Sequence, residues 1–291
     1  MPKEKRMSQI SFKRSGNTIG GSLTGVDLSA PLKDAERAAI HQALLDSIVL
    51  CIPAQQLETR DFIAFGRQFG ELEPHVLSQY HHPAHAEIIV LSNVVENGKP
   101  RGISDGGAYW HSDLSYMAVP ALATALYALE VPETGGDTLF VDMYRAYETL
   151  PDATKARIDG LTAIHSYAWR HNRMIDKNKV RAKLTDAQFQ CTPEVVHPVV
   201  RTHPETGRKA LYVNPGFTMR IVGMEKDDSE ALLAELFVHA TNPEFQYRHH
   251  WSVGDVVIWD NRCSMHSASG GYTPEQHRTL YRLTVTGTVP Y

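Results

Sequence analysis

A mainly β chain dressed with a few helices is the fold class predicted by this sequence, as a β-sandwich or jelly roll. Three observations lead there. Short apolar or alternating runs of roughly four to eight residues recur along the chain, each bounded by Gly, Pro, Asn or Asp. Few stretches repeat at helical spacing. No internal repeat and no linker rich in Pro, Gly or Ser divides the 291 residues, and a hydrophobic content of 42% can fill one large core, so residues 1–291 read as a single domain.

Taken in order, Ile10 to Leu28 reads as two short strands around turns at Gly20-Gly21 and Gly25. Asp34 to Leu45 has apolar positions at helical spacing, and Ile48 to Ile52, closed by Pro53, fits a buried strand. Leu57 to Phe69 reads as an amphipathic helix stopped by Gly70. Glu87 to Leu91 and Ala121 to Leu129 are strands, and Gly135-Gly136-Asp137 turns into another that runs through Phe140. Met143 to Leu150 and Ala153 to Ile158 are helical, parted by Pro151. Arg170 to Glu194 is polar without a period and reads as a mobile insertion that can act as an active-site lid. His197 to Val200 and Ala210 to Val213 are strands, and Ser229 to Ala240 is a helix capped by Asp228 or Ser229. Trp251 to Trp259 is a turn plus strand, and alternation from Arg278 to Thr288 marks a closing strand.

Composition narrows the partners. Twenty-nine basic against 33 acidic residues give a net charge of −4, with no basic excess to attract nucleic acid. The charged start, Met1 to Met7, is followed by no apolar stretch, so no signal peptide is expected. No run approaches the roughly 20 apolar residues of a membrane span. Cys51, Cys191 and Cys263 are far apart, which fits reduced thiols and a cytoplasmic location.

The chemistry centres on Tyr109-Trp110-His111-Ser112-Asp113. In an extended strand His111 and Asp113 share a face. An imidazole and a carboxylate aimed at one point are two thirds of the 2-His-1-carboxylate triad that holds Fe(II) and leaves positions open. The third ligand is expected far downstream, where a jelly roll brings distant strands together, and His266 is the best placed. His75, His165, His197, His239, His249 and His250 compete with it. Arg278 and Arg282, four apart in the closing strand, share a face. Two inward arginines make sense if two anions sit inside, since the planar guanidinium binds carboxylates bidentately.

As an ordered set, Trp110-His111-Ser112-Asp113, Gly135-Gly136-Asp137-Thr138 and Trp259-Asp260-Asn261-Arg262 with His266, Arg278 and Arg282 resemble the taurine dioxygenase / 2,4-dichlorophenoxyacetate dioxygenase family. These are Fe(II)- and 2-oxoglutarate-dependent oxygenases. Phe69-Gly70, the run from His197 to His203, and Leu211 to Asn214 with Gly216-Phe217 extend the likeness over about residues 10–288. The resemblance implies a double-stranded β-helix (jelly roll) and a homo-oligomer, dimer or tetramer. It makes His111, Asp113 and His266 the Fe(II) ligands, with 2-oxoglutarate and O2 as co-substrates. Arg278 and Thr138 would hold the distal carboxylate of 2-oxoglutarate. His75, Phe217 and Arg282 would meet a small anionic substrate, a carboxylate or sulfonate hydroxylated at a C–H with release of succinate and CO2. The chain departs from the family at two substrate positions: Asp105-Gly106-Gly107-Ala108 lacks an expected asparagine, and Ser78 stands for a tyrosine. If Arg282 pairs internally instead, Asp105 or Glu73 would be its partner. A zinc hydrolase and a non-catalytic jelly-roll binding protein are the alternatives; the first gives no reason for Thr138 and two inward arginines, and the second would not need an open iron site.

Overall fold

The computed structural model describes residues 9–104, 106–177 and 184–291. Its spine is a sheet in which the strand Val256–Asp260 lies between Val49–Ile52 and Ala121–Glu130, with Thr279–Thr286 and His85–Ser92 following beyond. All of these pairings are antiparallel. Side chains alternate between the two faces, and here both faces are buried. Val49, Cys51, Leu126, Ala128, Val257, Trp259 and Leu280 join one apolar cluster. Their neighbours Leu50, Ile52, Ala125, Tyr127, Val256, Ile258 and Leu283 join another. Burial on both faces is why Ile48 to Ile52 is apolar without a break. Each fully buried Leu or Ile contributes roughly 1.5–3 kcal/mol.

Helices Asp34–Ser47 and Thr59–Gly66 cover the second face through Ile40, Leu44, Phe62 and Phe65. A smaller sheet covers the first: Gln246–His249, Thr138–Asp142 and Ser264–Ala268, contributing Phe140, Val141 and Met265. Two sheets facing across a filled interior, with helices outside, form the expected jelly roll. Arg282 and Thr124 lie on the inward face, in step with Leu280 and with Leu126, and so point where the smaller sheet also points.

Several boundaries differ from the expectation, each for a tertiary reason. The helix expected over Leu57 to Phe69 spans only Thr59–Gly66, because the Leu57 amide donates to the Tyr127 hydroxyl at 3.0 Å. The helix expected from Ser229 begins at Lys226, and Glu225 precedes it. The Ser229 hydroxyl instead accepts the Ile221 amide at 2.8 Å. The expected aperiodic lid is in part helical, over Tyr167–Lys177 and Asp186–Gln190. Ser166 starts the first of these, its hydroxyl accepting the Trp169 amide at 3.2 Å. Among the residues of this helix whose burial is described, Tyr167 and His171, one turn apart, are buried. An aromatic and a histidine carry that part of the inward face, and neither is an aliphatic marker in the sequence. Residues 178–183 of the expected lid lie outside the described residues. The described helices include none long and apolar enough to cross a membrane, and the three cysteines are free thiols.

Candidate active site

His111 and Asp113 do not sit on a strand. His111 forms a single antiparallel bridge with His266, and a turn follows at Asp113. The His111 amide donates to the His266 carbonyl at 3.0 Å, and the His266 amide donates back at 2.8 Å. The two histidines are therefore direct cross-strand neighbours, with ring centroids 4.2 Å apart. The turn brings Asp113 under both rings. His111 Nε2 lies 3.5 Å from Asp113 Oδ1, and His266 Nε2 lies 3.6 Å from Asp113 Oδ2. All three side chains are buried, and their ligand atoms lie within 4.8 Å of one another.

The orientation of His111 follows from its partner. Its Nδ1 is 2.8 Å from the Tyr109 carbonyl, which can only accept. The proton therefore sits on Nδ1, and in the neutral ring Nε2 presents a lone pair toward Asp113 and His266. Space for that ring depends on Gly107, at φ +77°: a Cβ there would meet His111 Cε1 at 3.1 Å. His266 is wedged between Trp259 and Phe140, and its buried Nδ1 has no hydrogen-bond partner among the described residues. Burial, with His111 adjacent, holds its imidazole neutral, well below the usual histidine range. Asp113 is opposite. Burial alone would raise its carboxyl, but the Arg282 guanidinium outweighs that and holds it well below the usual range. Two imidazoles and an ionised carboxylate converging on one point are a donor set for a first-row divalent metal.

One open cavity contains this cluster together with His75, Thr138, Phe217, Arg278 and Arg282, so the eight residues given a role by the resemblance all line it. Arg278 is buried, and burial lowers its guanidinium from the usual range. Its Nε donates to the Gly136 carbonyl at 3.0 Å, and it has no ion-pair partner among the described residues. The Thr138 hydroxyl accepts the Trp251 indole N–H at 3.0 Å, which leaves its own proton free to donate. His75 Nδ1 accepts the Leu77 amide at 3.1 Å, and desolvation, with Arg282 nearby, lowers its imidazole to about 3. Phe217 packs on Tyr116 at 4.7 Å, and Tyr116 on Tyr167 at 4.7 Å, which makes an aromatic wall.

Arg282 lines the cavity and also has an internal partner, its Nη2 lying 2.9 Å from Asp113 Oδ1. That partner is Asp113 rather than Glu73, and Asp105 lies outside the described residues. The competing histidines are elsewhere. His165 stacks on Tyr212 and His197 meets the same ring edge-on, His239 meets the Ala146 carbonyl, and His250 pairs with Asp137. His249 groups with Cys51 and Asp255, and His203 with Asp260 and Cys263. Both groups are internally saturated: His249 lies between Tyr247 and Asp255, and Asp260 takes His203 and Arg262. Sequence reading missed Thr124, which donates to Asp113 Oδ2 at 2.7 Å. A threonine in an alanine-rich strand carries no motif, and only its inward alternation with Leu126 could have marked it.

Comparison with known proteins agrees with this geometry. The family model "Taurine catabolism dioxygenase TauD, TfdA family" matches residues 11–284. An alpha-ketoglutarate-dependent 2,4-dichlorophenoxyacetate dioxygenase of Burkholderia sp. (strain RASC) is 36% identical over 277 residues, 92% of this chain and 91% of the relative. Pentalenolactone F synthase of Streptomyces arenae is 32% identical over 276 residues, 92% of each chain. Among solved structures, AAD-2 in complex with Mn(II) and N-oxalylglycine superposes with a TM-score of 0.80 at 32% identity, covering 97% of this chain and 99% of that one. The chain belongs to the TauD/TfdA family of dioxygenases.

Proposed function

We propose that this dioxygenase binds Fe(II) through His111, Asp113 and His266, binds 2-oxoglutarate through Arg278 and Thr138, and hydroxylates a C–H of a small monoanion with an apolar body. The observation that carries the reading is the convergence of the three side chains with the His111 tautomer set by the Tyr109 carbonyl. Bound Fe(II) supplies the redox chemistry that couples O2-driven decarboxylation of 2-oxoglutarate, to succinate and CO2, with hydroxylation of the substrate. The chain's own residues supply position. Arg278 offers a desolvated fork with no competing carboxylate among the described residues, and Thr138 adds a hydroxyl donor beside it. A relative of similar fold carries N-oxalylglycine, which has the carboxylates and oxo group of 2-oxoglutarate with an N–H in place of one methylene.

Charge balance supports a monoanion. Among the described residues lining the cavity, Asp113 is the only acid, against Arg278 and Arg282. With a divalent metal added, positive charge exceeds negative by three. 2-Oxoglutarate brings two negative charges, and an acid with one negative charge closes the balance, as a desolvated site requires. Phe217, Tyr116, Tyr167, Leu77 and Ile103 line the remainder, and they fit an apolar or aryl body better than an ammonium group. Arg282, though shared with Asp113, keeps a buried Nε without a partner among the described residues, and it is the donor we assign to that acid. The three free thiols fit a reducing cytoplasm, and the homo-oligomer implied by the resemblance is part of the proposal, to be read by light scattering.

The test is succinate formation from 2-oxoglutarate by the purified chain across a panel of aryloxyalkanoates, alkyl sulfonates and their neutral amides or alcohols. Fe(II)-dependent turnover that prefers the acids is the expected result. Turnover with Zn(II) and no 2-oxoglutarate would mark a hydrolase, and binding without turnover a binding protein; either sinks the proposal.

A further inference from the structure

The motif Trp259-Asp260-Asn261-Arg262 is only partly explained by the site. Asp260, Arg262 and His203 form a buried structural cluster that Arg262 extends to the exposed Glu205. Asn261 is different. It is buried, it directly follows the strand that carries Trp259, and each of its amide atoms has a partner leading toward Asp113. We infer that Trp259, Asn261 and Thr124 are positioning residues that orient the Asp113 carboxylate for the metal, through a hydrogen-bond chain with only one possible direction. This rests on the metal reading of His111, Asp113 and His266.

The direction follows from donor chemistry. The indole N–H of Trp259 can only donate, and it lies 3.1 Å from Asn261 Oδ1. The backbone N–H of Asp113 can only donate, and it lies 3.2 Å from the same atom. Two obligatory donors fix that atom as the carbonyl oxygen, so the amide cannot be flipped. Asn261 Nδ2 therefore donates to Thr124 Oγ1 at 2.9 Å. A hydroxyl has one proton, and with its oxygen accepting from Asn261, Thr124 directs that proton to Asp113 Oδ2 at 2.7 Å. Arg282 occupies Oδ1 at 2.9 Å. Each carboxylate oxygen thus accepts one protein donor from a fixed direction, and the backbone amide of Asp113 is held by the same asparagine. The carboxylate plane is set before any ion arrives. The same indole ring packs at 4.6 Å on His266, so Trp259 braces two of the three ligands at once. Partners of this kind fix ligand orientation, and losing one typically costs about 10- to 100-fold in metal affinity.

The experiment is calorimetric titration of Mn(II) into the full chain after chelator treatment, with the Co(II) visible spectrum as a second readout of ligand geometry. Thr124→Val keeps the shape and removes the proton, so it should bind Mn(II) about 10- to 100-fold more weakly and shift the Co(II) bands. Thr124→Ser restores the hydroxyl and should bind close to wild type. A merely structural role would not separate these two variants by their spectra. Trp259→Phe keeps the aromatic packing but removes one of the two donors that hold the Asn261 amide, and it should weaken binding in the same direction. Wild-type affinity in Thr124→Val, or Thr124→Ser no tighter than Thr124→Val, overturns the inference. If Thr124→Val does not fold, wild-type affinity in Trp259→Phe overturns it. A wild-type chain that takes up no Mn(II), or His266→Ala binding as tightly as wild type, removes the metal reading itself, a result distinct from an intact metal site that Thr124 does not tune.

Discussion

Arg282 Nη2 and Asp113 Oδ1 lie 2.9 Å apart in a largely buried ion pair, at the point where the metal-ligand cluster meets the substrate cavity. A guanidinium read from sequence as free for a substrate anion thus also neutralises a ligand carboxylate. Removing one partner of such a pair leaves the other charged and buried. Asp113→Asn should therefore destabilise the metal-stripped protein by about 3–5 kcal/mol, and adding Arg282→Met should recover most of the loss. Urea unfolding of the two single variants and the double variant measures this. Strictly additive effects would show that the two residues are not coupled.

Arg278 should govern the co-substrate alone. Arg278→Ala removes a charge-assisted contact of about 1.5–3 kcal/mol, so the 2-oxoglutarate KM should rise roughly 10- to 150-fold, with a smaller change for the prime substrate. Arg278→Lys should rescue poorly, because an ammonium cannot reproduce the fork or the Nε bond to the Gly136 carbonyl. Steady-state kinetics with each substrate varied separately decides it; an unchanged 2-oxoglutarate KM in the Ala variant assigns the role to another residue.

Stability should fall in mild acid. Burial lowers His165 to about 3 and His197 to about 4, and their rings lie 5.3 Å apart. In the unfolded chain both titrate near 6.5. Between those values the unfolded state binds more protons, so stability is full above pH about 6.5 and is lost as pH falls below it. Each histidine contributes up to about 1.4 kcal/mol per pH unit. Urea midpoints at pH 7.5 and 5 should differ accordingly, and equal midpoints would contradict the buried neutral state.

The helix Tyr167–Lys177 should be ordered at its start. Tyr167 packs on Tyr116 and Phe217, and His171 is buried one turn on. Amide exchange at 170 and 171 should be slow with or without substrate, and rapid exchange there in the free protein would restore the fully mobile lid expected from sequence.

What the sequence determined by itself was the inventory. Alternation and unbroken apolar runs announced the strands, because a sheet buried on both faces needs them. The order of His111, Asp113, His266, Arg278 and Thr138 announced the family. Tertiary structure decided how the ligands meet. His111 and Asp113 converge through a bridge and a turn rather than along a strand, since the partner that fixes them, His266, lies far along the chain. Ser264–Ala268, the strand carrying His266, is short and half polar, so no local period reveals it. Thr124 and Asn261 gain their meaning only from what stands opposite them, and the same is true of Arg282. Its charge is local information, but its partner is a carboxylate 169 residues away in sequence, brought to 2.9 Å by the pairing of strands. Hydrogen bonding is short-ranged and directional, so residue type can be read along the chain, whereas the partner is known only once the fold has closed.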